Sequence, residues 1–294
     1  MTTLVVLLIA ALAAGLVCVL SIDRAAPVDP LDTERQERWF VAHAPRRLQR
    51  TLRYADRRVV GGAGVAVALI LVFASALAVG SLLDGIDDGG PFARWDQSAA
   101  EWGARNATTR STDVLEAITQ LGATGWLLVV LAVVGAVDFW RHRHPHVVLF
   151  LAIVGVGISV INNSLKWLIE RDRPEINVLT SYGGSSFPSG HTAAAAACWA
   201  GIALVLTRHG RRRTRAFAAA AAALIAAAVA ASRVLLGVHW LTDAIAGVVV
   251  GWTWFFLVTL MFGGRILRLG EPAERVAADR TTPSPADRRE LEVG

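Results

Sequence analysis

The sequence predicts an all-α protein, a polytopic bundle of helices that crosses a membrane several times. Hydrophobic residues make up 54% of the 294 residues, above the roughly 45–50% of ordinary globular chains. The mean hydropathy is +0.48. Apolar runs of membrane-spanning length alternate with short turns that are dense in arginine. This alternation is typical of a multi-pass membrane protein.

The chain is basic, with a net charge of +5 and a pI of about 10.1. Because the arginines lie between apolar runs, we expect anionic lipids of the inner leaflet to be the partner, and no nucleic acid. The two cysteines, Cys18 and Cys198, both lie inside apolar runs. Their placement argues against a structural disulfide and against a zinc site.

Residues 1–58 form the first predicted domain. Residues 3–20 are an apolar run of 18, close to the ~20 residues that a ~30 Å hydrocarbon core requires. A secretory signal is the alternative, but the uncharged start and the lack of a clear cleavage site favour a retained span. Residues 24–58 carry nine arginines. They are predicted to be cytoplasmic, either as a helix on the inner leaflet or as a solvated linker.

Residues 59–262 form the second predicted domain, which contains six further spans. These spans are residues 59–83, 115–140, 147–165, 191–207, 216–231 and 241–262. After the first of them, Phe92, Trp95, Ala99 and Trp102 recur at helical spacing and predict a short amphipathic helix at the outer interface. Residues 263–294 mix charged residues with proline and are predicted to be a disordered cytoplasmic tail.

With seven spans, every arginine-dense turn falls on one side of the plasma membrane. The N-terminus is then outside and the C-terminus cytoplasmic. One cytoplasmic turn, residues 141–146, contains three alternating histidines that could bind a metal weakly. A solvated loop is favoured, since no carboxylate or cysteine is seen nearby.

Three polar clusters lie between Lys166 and Asp243, all on the outer side. Charge beside hydrocarbon costs roughly 2.5–3.5 kcal/mol per group, so such residues point to a function. Lys166 and Arg173 are seven residues apart, and Pro174 is expected to end the helix and turn Arg173 back. Two converging cations suit a phosphate dianion. The alternative is a pair of snorkelling charges that anchor a helix end.

The second cluster, Ser189-Gly190-His191, opens a span. Ser189 is predicted to cap the helix, and Gly190 to let the backbone approach a ligand closely. The amides of a helix N-terminus bind phosphate readily, and His191 could donate a proton. The alternative is an ordinary capped helix with a histidine at the interface.

The third cluster places Arg233 beside Ser232, followed by His239 and Asp243. The last two are four residues apart and are predicted to share a helix face, so that the carboxylate orients the imidazole as a nucleophile. The alternative is a structural His–Asp pair near a helix N-terminus. Because all three clusters face one side and together supply cations, an acid and a nucleophile, the functional interpretation is favoured.

Together the clusters resemble the three-part signature of the type 2 phosphatidic acid phosphatase superfamily. The matching residues are Lys166 with Arg173-Pro174, Pro188-Ser189-Gly190-His191, and Ser232-Arg233 with His239 and Asp243. The resemblance covers about residues 59–262 and implies a six-helix phosphatase core, to which residues 3–20 would add an extra transmembrane helix. It also implies metal-independent hydrolysis of a phosphate ester or anhydride through a phosphohistidine, without a cofactor.

On that pattern His239 would attack phosphorus, Asp243 would orient it, and His191 would protonate the leaving oxygen. The phosphoryl oxygens would be bound by Lys166, Arg173, Ser189, Gly190 and Arg233. We expect a membrane lipid substrate, undecaprenyl diphosphate first and phosphatidic acid or phosphatidylglycerol phosphate next. Two other classes remain open: a non-catalytic lipid transporter or anchor, and a vanadate-dependent haloperoxidase-like enzyme, against which the apolar spans argue.

Overall fold

The structure is a computed structural model and describes residues 57–87, 90–143, 145–176, 178–181 and 183–263. Within these ranges the chain forms eight α-helices and no β-strand, so the predicted all-α class is confirmed. They are α1 Arg57–Asp87, α2 Pro91–Asn106, α3 Thr109–Gln120, α4 Thr124–His142, α5 Pro145–Ile169, α6 Gly190–Thr207, α7 Arg212–Leu235 and α8 Leu241–Gly263. The predicted first span at residues 3–20, most of the arginine-rich segment and the tail after residue 263 lie outside the described residues.

Six of these helices, α1 and α4 to α8, are long and apolar enough to cross a membrane. Large apolar side chains cover their outer surface, and Ile70, Phe73, Phe217 and Leu224 are each more than half exposed. Such side chains are stabilised by contact with hydrocarbon rather than with water. The chain is therefore a multi-pass membrane protein.

Helix α6 lies at the centre of the bundle, in contact with α4, α5, α7 and α8. Residues 193–198, five alanines and a cysteine, are all buried. Small side chains let neighbouring backbones approach closely, so α6 is packed on several sides at once. The larger side chains of this core, such as Phe150 and Leu151, come from the surrounding helices.

The predicted span at residues 115–140 is wrong at its start. The chain forms the separate helix α3, turns at residues 121–123, and only then enters α4. Helix α3 begins with a capping box: the Thr108 hydroxyl accepts from the Ser111 amide at 3.1 Å, and the Ser111 hydroxyl accepts from the Thr108 amide at 2.9 Å. This local signal starts a helix before the apolar run begins.

The predicted amphipathic helix is confirmed as α2, but the face that packs on the protein is not the aromatic one. Trp95 and Trp102 are 55% and 54% exposed, as suits rings at a membrane interface. The buried residues are Asp96, Ala100 and Gly103. A Cβ at Gly103 would lie 3.2 Å from the backbone of α7. The small face therefore lets α2 approach α7 closely and carries a carboxylate into the protein.

Candidate active site

Four helix ends meet at one end of the bundle and carry the predicted polar residues. Lys166 lies in the last turn of α5, and Arg233 lies in the last turn of α7. Ser189 is the N-cap of α6, and Asp243 lies in the first turn of α8. Because successive spans run in opposite directions, the three clusters, although distant in sequence, lie at the same end of the bundle.

A close crossing of α6 and α8 sets the distance between two of these ends. A Cβ at Gly247 would lie 2.7 Å from the Ser189 carbonyl oxygen, and one at Gly251 would overlap the Ala193 carbonyl oxygen. Glycines four residues apart allow this approach of helix backbones. As a result, the Ser189 amide donates to the Asp243 carbonyl oxygen at 3.0 Å. Asp243 is thereby held beside the N-terminus of α6.

His239 precedes α8, which begins at Leu241, so the prediction that His239 and Asp243 share a helix face is wrong. The two side chains nevertheless meet, with Nδ1 of His239 3.4 Å from Oδ2 of Asp243. Nε2 of the same ring lies 3.2 Å from Nη1 of Arg173. A guanidinium only donates, so Nε2 is the acceptor and the ring proton is on Nδ1. The imidazole is therefore neutral, with the electron pair of Nε2 directed toward Arg173.

The charge state of His239 follows from its environment. Its side chain is 3% exposed, and burial lowers the pKa of the imidazole from 6.5 to about 4, because burial disfavours the charged form. Asp243 opposes this lowering, while the charges of Arg173 and Arg233 contribute to it. At neutral pH the ring is uncharged, with its proton on Nδ1, and its Nε2 electron pair is available.

Asp243 is fully buried and accepts hydrogen bonds at both carboxylate oxygens. Oδ2 accepts from the Trp240 amide at 2.9 Å and from the Ser186 hydroxyl, in addition to its contact with His239. Oδ1 accepts from Nη1 of Arg171 at 2.5 Å. A carboxylate with this many donors is held in one orientation.

The predicted convergence of Lys166 and Arg173 is observed. Nζ of Lys166 donates to the carbonyl oxygen of Ser185, and Nη2 of Arg173 donates to the same oxygen at 3.1 Å. Arg173 also donates to the carbonyls of Gly184 at 3.0 Å and Val238 at 2.5 Å. Two cations, one in the last turn of α5 and one early in the loop that follows it, therefore meet at one carbonyl oxygen.

Arg233 is 5% exposed and carries an unused donor. Its Nη1 donates to the Thr119 hydroxyl at 3.2 Å, but its buried Nε has no hydrogen-bond partner among the described residues. Oδ1 of Asn162, one helical turn before Lys166, is buried and equally without a partner within that part of the chain. Unpaired buried polar atoms are costly, and they are often found where a ligand binds.

His191 lies in the first turn of α6 and is half-buried. Its imidazole is near enough to interact with the charges of Arg233, His239, Lys166 and Arg173. The turn before α4 packs against it, since a Cβ at Gly122 would lie 2.6 Å from the His191 carbonyl oxygen. The candidate proton donor and the candidate nucleophile therefore belong to one pocket.

Ser189 and Gly190 lie at the start of α6, as predicted, but they make contacts that the sequence did not indicate. Ser189 is the N-cap of α6, but its side chain makes no capping hydrogen bond and instead accepts from the Thr192 hydroxyl at 2.9 Å. A Cβ at Gly190 would lie 2.9 Å from Nδ2 of Asn162, so a larger residue here would displace the Asn162 amide of the neighbouring helix α5. The first amides of α6 have no acceptor within their own helix.

Five residues of this site were missed by reasoning from the sequence. They are Asp96, Thr119, Arg171, Ser186 and Thr242. Arg171 had a visible signal, because it stands two residues before Arg173 at the same helix end. Thr119 and Asp96 had none, since each meets its partner across more than 70 residues of chain.

Several known proteins are similar to this chain. The sequence profile of the PAP2 superfamily matches residues 145–267. Phosphatidylglycerophosphatase B of Bacillus subtilis is 36% identical over 148 residues, which are 50% of this chain and 72% of that protein. Decaprenylphosphoryl-5-phosphoribose phosphatase of Mycobacterium tuberculosis is 33% identical over 147 residues, 48% of this chain and 73% of that one.

A solved structure is similar as well. The crystal structure of a transmembrane PAP2-type phosphatidylglycerolphosphate phosphatase from Bacillus subtilis superimposes with a TM-score of 0.58 at 29% identity. The alignment covers 65% of this chain and 94% of that one. The matched profile begins at Pro145 and therefore includes all eight predicted site residues, whereas Asp96 and Thr119 precede it.

Proposed function

Because the chain belongs to the PAP2 superfamily and is a membrane phosphatase of lipid phosphates, we propose that it acts through a phosphohistidine at His239. The state of that imidazole carries the proposal. Nδ1 faces the Asp243 carboxylate at 3.4 Å, and the Nε2 electron pair faces the Arg173 guanidinium at 3.2 Å. A nucleophile needs such an available electron pair and a neighbour that stabilises the charge it acquires.

The reaction has two steps. In the first, Nε2 of His239 forms a bond to phosphorus while the bond from phosphorus to the leaving oxygen breaks, and His191 gives its proton to that oxygen. In the second, a water molecule that has lost a proton to His191 attacks phosphorus, and the bond from phosphorus to Nε2 breaks. Inorganic phosphate leaves, and Asp243 stabilises the positive ring between the two steps.

Phosphoryl transfer depends mainly on positioning and on stabilising charge. We assign this task to Lys166, Arg173, Arg233, Ser189 and the Gly190 amide. Three observations support the assignment: Lys166 and Arg173 meet at one carbonyl oxygen, Nε of Arg233 has no hydrogen-bond partner within the described part of the chain, and the N-terminus of α6 lies at the same end. Lys166 and Arg173 now donate to the carbonyl oxygens of residues 183–185. A substrate phosphate would accept these hydrogen bonds in place of the carbonyls.

The pocket is proposed to face the outside of the plasma membrane. At the opposite end of the bundle, arginines cluster in the turns around Arg141 and Arg212, and such turns are retained in the cytoplasm. The same turns, together with the arginine-rich segment before α1, would bind anionic lipids of the inner leaflet.

The substrate is proposed to be undecaprenyl diphosphate first, with phosphatidic acid or phosphatidylglycerol phosphate next. An outward site at the depth of the headgroups suits a lipid carrier that must be recycled outside the cell. The two relatives named above support a phospholipid and a polyprenyl-linked substrate respectively, since one is named a phosphatidylglycerophosphatase and the other a decaprenylphosphoryl-5-phosphoribose phosphatase.

The test is a panel of these lipids with purified protein in detergent micelles, measuring phosphate release. The panel compares the native chain, His239→Ala and His142→Ala, which removes a histidine of the opposite end. We expect release by the native chain and by His142→Ala, and an acid-labile phosphoenzyme that His239→Ala does not form. Normal turnover by His239→Ala would reject the mechanism.

Metal independence is tested with the same preparation. Because Lys166, Arg173 and Arg233 are assigned the charge stabilisation that a metal ion supplies in other phosphatases, we expect the rate to be unchanged in EDTA. A loss of activity in the chelator that one divalent metal restores would reverse this conclusion.

A further inference from the structure

Asp96 is the one carboxylate that α2 buries against the membrane bundle. It is 2% exposed, and it lies outside the residues 145–267 that match the superfamily profile. Its Oδ1 accepts from the Thr242 amide at 2.8 Å, and its Oδ2 accepts from the Thr242 hydroxyl at 2.7 Å. Asp96 therefore binds the first turn of α8 from another helix, in the manner of an N-cap.

The second partner of Asp96 is Arg171. Nη2 of Arg171 donates to Oδ2 of Asp96 at 2.8 Å, and Nη1 of the same guanidinium donates to Oδ1 of Asp243 at 2.5 Å. One cation thus lies between two buried carboxylates. A third contact connects the set, because Nη1 of Arg171 also donates to the Thr242 hydroxyl at 2.8 Å, which in turn donates to Asp96.

The other side of Arg171 is also constrained. Its guanidinium lies over the indole of Trp240 at 5.5 Å from the ring centroid, a cation–π distance. Trp240 stands between His239 and α8, and its amide donates to Asp243 at 2.9 Å. Two of the groups that fix the orientation of Asp243, the Arg171 guanidinium and the Trp240 amide, are thus connected to the carboxylate on α2, the second of them through Arg171.

We propose that Asp96 is a positioning residue for the phosphatase reaction: by holding Arg171 and the first turn of α8, it sets the orientation of Asp243 toward His239. The proposal rests on the assignment of His239 as the nucleophile. Without the charge of Asp96, Nη2 of Arg171 loses its anionic partner, and the guanidinium shifts about its remaining ion pair with Asp243. The carboxylate then turns away from Nδ1 of His239, and the imidazole loses its alignment with phosphorus.

This role predicts an effect on the chemical step and not on phosphate binding. Lys166, Arg173 and Arg233 are the cations assigned to the phosphoryl oxygens. Among the described residues, none of the hydrogen bonds of Asp96 is made to them. A loss of alignment of about 1 Å costs on the order of 10²-fold in rate. A structural tether for α2 would instead lower the amount of folded protein and affect binding and turnover together.

The test compares Asp96→Asn with Glu101→Gln, which neutralises an exposed carboxylate of the same helix that pairs with Arg105 at 3.1 Å. We expect Asp96→Asn to lower kcat by about 10- to 100-fold, with KM and the inhibition constant of inorganic phosphate changed less than about twofold. Glu101→Gln should match the native chain in all three. Equal values for both variants, or a weaker inhibition by phosphate in Asp96→Asn, would overturn the proposal.

One further variant keeps the test decisive if Asp96→Asn does not fold, and a double variant tests the coupling if it does. Thr242→Val removes the hydroxyl between Arg171 and Asp96 without removing a charge, and it should lower kcat in the same direction. Asp96→Asn combined with Arg171→Gln should be no slower than Arg171→Gln alone, because both act through one bridge. Additive losses, or a native kcat in Thr242→Val, would contradict this coupling.

The phosphoenzyme measurement separates this inference from the proposed function. If the native chain forms no phosphohistidine, the proposed mechanism fails whatever Asp96→Asn does. If the native chain forms it and Asp96→Asn forms it at the native single-turnover rate, only the role of Asp96 is rejected.

Discussion

The two ends of the bundle contain nearly the same set of side chains. At the site, Arg171 donates to Oδ1 of Asp243 at 2.5 Å, and a histidine four residues away approaches the same carboxylate. At the opposite end, Arg208 donates to Oδ1 of Asp138 at 2.5 Å, and His142, again four residues away, is bonded to that oxygen at 3.0 Å. Both carboxylates are more than nine-tenths buried.

What differs is the environment of each histidine. His239 is buried, and Arg173 lies at its second nitrogen, whereas the side chain of His142 is 44% exposed. The N-terminus of the central helix α6 lies beside Asp243, and Nη2 of its C-cap residue Arg208 lies 3.3 Å from Nδ1 of His142. A helix N-terminus attracts phosphate, and a C-terminus repels it.

The remaining contacts of the carboxylates differ as well. Both oxygens of Asp243 accept hydrogen bonds, whereas Oδ2 of Asp138 has none from the described residues. On the proposed mechanism, the comparison teaches that an Arg–Asp–His set alone would not make a phosphatase site. The cations and the helix N-terminus around Asp243 and His239 would make that set suitable for phosphoryl transfer.

The sharpest way to test this comparison is to neutralise each carboxylate in turn. We expect Asp243→Asn to lower the single-turnover rate of the first step by about 10²- to 10³-fold, because His239 loses the acceptor that orients it. Asp138→Asn should leave that rate within about twofold. An unchanged rate in Asp243→Asn would show that the imidazole needs no carboxylate, and equal losses in both variants would show that the two ends are not functionally distinct.

The second prediction concerns stability at the opposite end. Arg208 is 4% exposed and also donates to the Val205 carbonyl at 3.1 Å. Arg208→Gln leaves Asp138 buried without its cation, a change that costs about 3–5 kcal/mol in typical buried pairs. We expect a lower midpoint of thermal unfolding in micelles and, below it, a native kcat. A native midpoint would mean that the pair contributes no stability.

The third and smallest effect is the titration of His239. Because burial lowers the pKa of this imidazole to about 4, its signal in NMR spectra of histidine-labelled protein should not move between pH 8 and pH 5. Free histidine moves with a midpoint near ~6.5. Since Asp243 raises the pKa of His239, Asp243→Asn should move the midpoint to lower pH. A midpoint above 6 in the native chain, with the signal assigned by its loss in His239→Ala, would contradict the neutral ring.

Much of the fold was predictable because its signals are local. The apolar runs predicted the six described spans, although the span ends were extended by several residues in α5 and α7. The turn at residues 141–146 was wrongly treated as having no nearby carboxylate, because Asp138 stands inside the preceding apolar run and reaches His142 one helical turn later. The burial of Asp96, rather than Trp95, on α2 was equally invisible, since the hydrophobic pattern does not show which face meets protein and which meets lipid.

The sequence by itself determined the membrane class and the span order, and it predicted eight site residues within the three clusters, since hydropathy and spacing along a chain indicate these directly. Only the tertiary structure decided which nitrogen of His239 is available, which oxygen brings Lys166 and Arg173 together, and that Arg171 joins Asp243 to Asp96. Those contacts connect residues up to 75 positions apart. They depend on how closely α6, α8 and α2 pack, and packing distances of a few tenths of an ångström are not written in any local pattern.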